Sequence, residues 1–393
     1  MISDVIVVGG GPAGVASALF LRQLGYFVLL LDRARFPRDK VCGESVSPEA
    51  WRLLDALGVA ARVRSLAPQP VQGMRLTAPD GTWFAGTYPE GRLGFAVRRE
   101  RLDHVLLQAA RDSGVEVREG IRVVDLLRRN GRVVGVLCDG PGATAALECR
   151  LVVGADGRDS AEARALGLRR AHSLRRFAVR AHFEGVQGLS DRGEMHVIAG
   201  AYCGIAPLSG TSANVAFVMD PGPLRAAGGD LPGFFLRALS RWPEIKERLA
   251  RAHLLAPPRA IGPLAVGARR LSSAGAALVG DSAGFYDPFT GEGITLALRS
   301  AELLAPVADA ALRSGRLHYL SRYDRERARA TRDKFLVNRL IQRLIGWPVL
   351  ANAVAGRLRR RGDLADRLVG IAGDFVSARS ALGPSFLFDL LTA

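Results

Sequence analysis

The feature that most constrains this chain lies at its start. Gly9-Gly10-Gly11-Pro12-Ala13-Gly14 gives a GxGxxG spacing through Gly9, Gly11 and Gly14. The run follows the apolar segment Val5-Ile6-Val7-Val8 and opens a stretch with helical periodicity through Ala16, Leu19, Phe20 and Leu24. Asp4 to Val8 therefore reads as a buried parallel strand, Pro12 to Gly25 as a helix, and Phe27 to Leu31 as the next strand, closed by Asp32. In such a unit the first glycine makes the tight turn, the second admits a pyrophosphate to the backbone and the third lets helix pack on strand. The helix start offers free N–H groups and partial positive charge to phosphate. An acid ending the second strand accepts hydrogen bonds from a ribose diol. Gly9, Gly11, Pro12, Ala13, Gly14 and Asp32, with Arg33 beside it, are thus candidate dinucleotide-binding residues.

A chain of 393 residues is long enough for two joined domains, and 48% apolar content supports a large core. Charge or glycine interrupts every long apolar stretch, so no transmembrane helix is expected. The N-terminus reads as a strand and not as a signal peptide. Cys42, Cys138, Cys149 and Cys203 form no CxxC pair and no zinc spacing, which points to a reduced, cytoplasmic protein without a metal site. The net charge is +16, carried almost wholly by arginine, with local density at Arg357, Arg359, Arg360 and Arg361. No zinc-finger, RNA-binding or helix-turn-helix pattern accompanies it, so nucleic acid is set aside, whereas peripheral membrane contact stays open. Nothing selects an oligomeric state.

Further along, Arg99 to Ser113 reads as a helix, and Val115-Glu116-Val117, Arg132 to Leu137 and Leu151-Val152-Val153 read as strands. Between Leu174 and Val218 the pattern becomes alternating, as in Phe177, Val179, Ala181 and Phe183, which predicts a half-exposed antiparallel sheet in a different layer. Ala276 to Val279 returns to a buried strand, and a long helix starts near Glu292. From Tyr319 onward the chain is helical and arginine-rich, broken at Pro348 and Pro384.

Two later glycine-rich turns carry chemistry. Val279-Gly280-Asp281 places a carboxylate at a strand end, where it can bond a polyol. Asp287-Pro288-Phe289-Thr290-Gly291-Glu292-Gly293-Ile294 opens the long helix, with Gly291 and Gly293 exposing backbone N–H groups at its positive end.

Together these stretches resemble the flavoprotein family of p-hydroxybenzoate-hydroxylase-type monooxygenases and geranylgeranyl-reductase-type reductases. The resemblance covers roughly residues 1–320, with the motifs in the family's order. It implies FAD as cofactor. The N-terminal glycines and Asp32 would bind its ADP half, Gly280 and Asp281 its ribityl and pyrophosphate, and Pro288, Gly291, Gly293 and Ile294 would lie beside the isoalloxazine. Val153-Gly154-Ala155-Asp156-Gly157 matches the family's DG motif, tied to FAD and NAD(P)H through Asp156 and Gly157. Arg99 with Leu102 and Asp103 matches its Arg-x-x-Leu-Asp helix start, where the arginine reaches the flavin. Lys40-Val41-Cys42-Gly43-Glu44 resembles the Lys-x-Cys-Gly-Glu segment of the reductase branch, so Lys40, Cys42 and Gly43 would pass near the flavin. Cys42 and Glu44 are the candidate catalytic residues: Cys42 can protonate a carbon or simply fill space, and Glu44 can act as acid or base or hydrogen-bond its loop.

The implied fold is α/β: an FAD-binding, Rossmann-like domain with an inserted, mostly antiparallel substrate sheet and a C-terminal helical region. Residues 1–72, 96–173 and 269–320 would form the FAD-binding part, 73–95 and 174–268 the substrate part, and 321–393 the helical region. No second GxGxxG unit is present, so NADH or NADPH is expected to visit transiently as reductant. The Trp-x-Trp-x-Ile-Pro signature of flavin halogenases is absent at Ala201–Leu208, which disfavours that activity. Gly204 in that run, where the reductase branch usually has tryptophan, is expected to open space on the substrate side. That expectation favours an NAD(P)H-dependent monooxygenase hydroxylating an aromatic, polyketide or quinone-like molecule. A reductase of carbon–carbon double bonds in a prenyl or other apolar substrate is the alternative. His182 and His196 fall in the expected antiparallel sheet and read more readily as structure than as bases.

Overall fold

In the computed structural model, residues 3–140, 143–373, 376–383, 386 and 389 are described. The break expected at Pro384 lies outside them. Ser3–Val8 forms the centre of a parallel array, flanked by Ala143–Gly154 and Val28–Asp32, with Ala276–Leu278 and Glu116–Glu119 further out. The apolar run at the N-terminus is continuous because both faces of these strands are covered. Val5, Val7, Val28, Leu30, Leu151 and Val153 point into one core against the Pro12–Gln23 and Gly293–Ser314 helices. Ile6, Val8, Leu29, Leu31 and Val152 point the other way, against the hairpin Arg122–Arg129/Arg132–Gly140. Such two-sided burial is what a parallel sheet requires.

The alternating region forms a second sheet, in which Phe177–Glu184, Ser212–Met219, Ala201–Ser209 and Arg192–Ile198 pair antiparallel in that order. Gly73–Thr77 joins Arg192–Ile198 in parallel, and Trp83–Thr87 closes that edge. Alternation assigns the faces, but the sheet is not half-exposed as expected: residues 178–183 are buried on both sides, because other elements cover each face. Val179, Ala181, Phe183, Val215 and Phe217 pack under the short helix Leu231–Leu239, while Arg180, His182 and Asn214 turn toward the loop that carries Asp39, Lys40, Cys42 and Glu44.

Three longer C-terminal helices, Ser321–Ile345, Pro348–Arg360 and Gly362–Ala372, follow, with the short helix Arg379–Leu382 after them. Val337, Ala355, Leu358, Leu364 and Ala365 share one apolar cluster with Ala78 and Phe84 of the second sheet region. No helix among the described residues is long and apolar enough to cross a membrane.

Candidate functional site

The site is assembled from the first glycine turn. A Cβ on Gly14 would lie 1.8 Å from the Gly9 carbonyl oxygen, and one on Gly9 would lie 2.4 Å from the oxygen of Ala155. Both positions are glycine because backbone meets backbone there. Gly11 differs: the nearest atom to its Cβ position is a guanidinium nitrogen of Arg38, at 3.8 Å. The second glycine therefore leaves an open approach edged by a cation, which fits a diphosphate. The Pro12–Gln23 helix begins without a side-chain cap and without an acid in its first turn, so its leading N–H groups face that approach. Asp32 accepts from the N–H of Gly10 at 2.6 Å and of Ala34 at 2.7 Å, which aligns its carboxylate beside the turn. Arg33 is exposed.

Around this turn the other motifs converge. Gly280 lies with its Cβ position 2.7 Å from the methyl of Ala13. Burial raises the Asp281 carboxyl above the usual range, and Lys40, Arg99, Arg158 and Arg327 pull it back. Burial lowers the Lys40 ammonium, with Arg99, Arg38 and Arg158 repelling it and Asp281 opposing them. The Gly157 Cβ position lies 3.7 Å from Lys40 Nζ. Asp156 caps the helix Ala161–Ala165 through the N–H of Ala161 at 2.6 Å, and burial together with Asp156 drives Glu162 well above the carboxylate range. Arg99 is buried and donates to both oxygens of Asp103, at 2.8 and 2.7 Å, while Arg38 reaches Asp103 at 3.0 Å. Burial works against the Arg99 charge, but Asp103 and Cys42 outweigh it.

The loop bearing Cys42 and Glu44 crosses from this cationic ground to the second sheet. Glu44 sits at φ 60°, a left-handed conformation that disfavours a side chain. Its buried carboxylate accepts from the Arg99 backbone N–H at 2.9 Å and meets His182 Nε2 at 2.6 Å. The tautomer follows from Arg180, which can only donate: its NH1 lies 3.2 Å from His182 Nδ1, so Nδ1 accepts and Nε2–H donates to Glu44. Asn214, paired with His182 across the sheet, donates to the Cys42 carbonyl at 2.8 Å. The Glu44 N–H points at Cys42 Sγ over 3.4 Å, leaving the half-buried thiol beside Arg99. Gly43 is exposed at the loop tip.

The turn at Pro288–Ile294 closes the site. Gly291 is left-handed, and its Cβ position lies 3.9 Å from Ser45 Oγ. Ser47 shares a 2.6 Å hydrogen bond with Thr295, so the Cys42 loop and this turn are stitched together. Asp287 accepts from the Tyr202 hydroxyl at 2.6 Å and from Gln342 at 2.8 Å, joining the turn to the sheet and to the Ser321–Ile345 helix. Ile294 is buried, while Gly293 lies against the Phe285 ring.

Beyond the turn lies a cavity of about 110 Å³. Met74, Leu76, Met195 and Val197 of the second sheet form its floor, and Phe289, Thr290 and Glu292 its end toward the turn. Ile341, Ile345, Val354 and Leu358 of the C-terminal helices roof it. Its lining is apolar apart from Thr77, Thr290 and the buried pair Glu292–Lys334, 3.5 Å apart. Gly204 does not open space here, contrary to expectation: Met195 Sδ and Cε lie 3.3 Å from its Cβ position and fill it.

The binding positions expected near residues 9–44, 99–157 and 280–294 thus meet at one place. Arg38, Arg158, Arg327 and Asn214 also converge there and carry no motif of their own. The alternation did place His182 on a sheet face, but not which face meets the Cys42 loop. His196 lies elsewhere, buried against Glu194 at 2.9 Å, with Arg248 on the same carboxylate.

Comparison with known proteins agrees with this geometry. A family model described as "FAD binding domain" matches residues 3–335. Menaquinone reductase of Mycolicibacterium smegmatis is 28% identical over 326 residues, which is 77% of this chain and 75% of that protein. Digeranylgeranylglycerophospholipid reductase 2 of Methanothermobacter thermautotrophicus is 29% identical, covering 82% of each. The crystal structure of a flavoprotein/dehydrogenase from Cytophaga hutchinsonii superposes with a TM-score of 0.85 at 22% identity, over 98% of this chain and 95% of that one, a likeness of fold. The glycine cradle, its cationic rim and the match over residues 3–335 lead to one assignment: the chain belongs to the FAD-binding-domain family of FAD-dependent oxidoreductases.

Proposed function

We propose that this protein reduces carbon–carbon double bonds in an isoprenoid or similarly apolar chain. The observation that carries the reading is the apolar cavity ending at the Pro288–Ile294 turn. Such a lining holds hydrocarbon and offers little to a polar aromatic acid. The relatives named for menaquinone and for a digeranylgeranyl lipid support the same substrate class, since both molecules carry isoprenoid chains. The hydroxylation reading leaned on the family resemblance and on open space at Gly204, and Met195 occupies the second of these.

Reduction of an alkene adds a hydride to one carbon and a proton to the other. FAD, when bound and reduced, supplies the hydride, and NADH or NADPH is the proposed transient source of electrons. Within the protein, Gly9, Gly11, Gly14, Arg38, Lys40, Arg99 and Asp281 would hold the cofactor, and the cavity would orient the chain and exclude water. Cys42 is the proposed proton donor. Its sulfur faces the Glu44 N–H at 3.4 Å and lies beside the Arg99 guanidinium. Glu44 acts as a positioning residue in this scheme. Its carboxylate is enclosed by Arg99 and His182 and holds the loop at its left-handed turn.

The test is an anaerobic assay with reduced protein and a polyprenyl quinone or geranylgeranyl lipid. A product whose isoprenoid chain has gained two hydrogens at a carbon–carbon double bond, without oxygen and still present after any quinol is reoxidised, is expected. Hydrogens gained only at the quinone ring would overturn the reading. Product that forms only in oxygen and carries an atom of O₂ would overturn the reading in favour of hydroxylation.

A further inference from the structure

The face opposite the cavity, on the same two helices, is unusual. Along the Ser321–Ile345 helix the exposed positions Arg332, Leu336, Arg339, Leu340 and Arg343 recur at i, i+4, i+7, i+8 and i+11, one stripe on one side. The stripe runs into the corner before the Pro348–Arg360 helix, where Trp347 is 70% and Val349 84% exposed, next to exposed Leu350. These are large side chains that ordinary solvated corners do not carry in a cluster. Charge accompanies them: residues 334–362 contain six arginines, one lysine and no aspartate or glutamate. The inner faces of the same helices supply Ile341, Leu344, Ile345 and Val354 to the cavity wall.

We propose that this corner docks on an anionic lipid bilayer. Trp347, Val349 and Leu350 would enter the interface, and Arg339 and Arg343 would meet lipid phosphates. Apolar residues on one side of a basic amphipathic segment, with a tryptophan at the boundary, are the composition that interfacial helices use. Docking stands on this surface alone. Its use as an entry route, by which a chain passes from the bilayer between these helices into the cavity, rests on the reductase reading. An isoprenoid lipid is held in bilayers and not in water, so a cavity one helix away from the membrane avoids carrying it through solvent.

The test is flotation of the FAD-loaded, full-length protein with vesicles of phosphatidylcholine, with and without phosphatidylglycerol. Binding to the anionic vesicles is expected, weakening as salt screens the surface charge. Trp347→Ser with Val349→Ser should abolish it, and Arg339→Gln with Arg343→Gln should lower partitioning by roughly tenfold or more. Flavin absorbance and the thermal midpoint, both unchanged, would show that the variants fold. Equal flotation of the Ser variant, or no flotation with anionic vesicles, overturns the proposal. So does a concentration-dependent dimer in light scattering that the Ser variant abolishes, because a second copy would then be the occupant. The readout needs no turnover, so failure of the reductase reading leaves it distinguishable.

Discussion

Cys42 holds the position from which the proposed chemistry is most sensitive to one atom. Its sulfur receives the Glu44 N–H and lies beside the Arg99 guanidinium, so loss of the thiol removes the proton donor while leaving the cofactor cradle in place. Cys42→Ala is expected to slow turnover by roughly 10²-fold, with bound FAD and its absorbance unchanged. Full turnover by the alanine variant would assign the cysteine to packing alone. Gly14 is governed by sterics. Because a Cβ there would sit 1.8 Å from the Gly9 oxygen, Gly14→Ala must displace either the helix or the turn. Purified Gly14→Ala is expected to come free of yellow colour, with a flavin-to-protein ratio near zero. A variant that retains stoichiometric FAD would show that the turn tolerates displacement.

Among the elements, the Arg192–Ile198 strand is tied to the helix Pro243–Arg248 by one buried carboxylate. Burial disfavours ionised Glu194, but His196 and Arg248 outweigh it and lower its pKa to about 2. A carboxylate lowered in the folded state adds stability above its unfolded pKa and loses it as pH falls through the folded value. That contribution is therefore full above about pH 4.5 and disappears toward pH 2. It amounts to about 3 kcal/mol at neutral pH. The acid limb of a thermal-midpoint profile should be less steep in Glu194→Gln. An identical limb would place the acid sensitivity elsewhere. The same elements show why some of the site was legible in the sequence and some was not. Gly9, Gly11, Gly14 and Asp32 act through backbone geometry within one βαβ unit, so their spacing along the chain already encodes their positions in space. Arg158 and Arg327 act by converging on Asp281, and Arg38 on Lys40 and Asp103, from loops and a helix far apart in sequence. Each is one arginine among many, and no local pattern separates it from those on the surface. Gly204 erred for a related reason: a missing side chain marks free space only when no neighbour fills it, and Met195 belongs to the adjoining strand.

Across the whole molecule, the parallel layer was readable from its uninterrupted apolar strands, and the alternating stretch announced a sheet with unlike faces. The seating of the C-terminal helices was not readable. Their arginine-rich surface hides an apolar inner face whose partners, Met74, Met195 and Phe289, lie on other elements. That seating yields a prediction about chain length. Ala355 is buried in the cavity wall, and Ala355→Phe would place a ring in the space proposed for substrate. Overpacking of this kind costs about 1–3 kcal/mol. Turnover of a long isoprenoid chain should fall far more than that of a short one, with FAD content unaltered. Equal effects on both would move the chain-binding site away from this cavity.

The Ser321–Ile345 helix has one more consequence. It donates from Tyr323 to the Leu278 carbonyl at 3.0 Å and from Arg327 to the Gly284 carbonyl at 3.0 Å, and it reaches Asp287 through Gln342. One rigid rod thus touches the turn at Gly280, the turn at Asp287 and the wall of the cavity. A lineage reshaping that wall would also move the turns at the other end of the rod. If the cavity holds substrate as proposed, a change in substrate range and a change at the two glycine-rich turns would be inherited together through this helix.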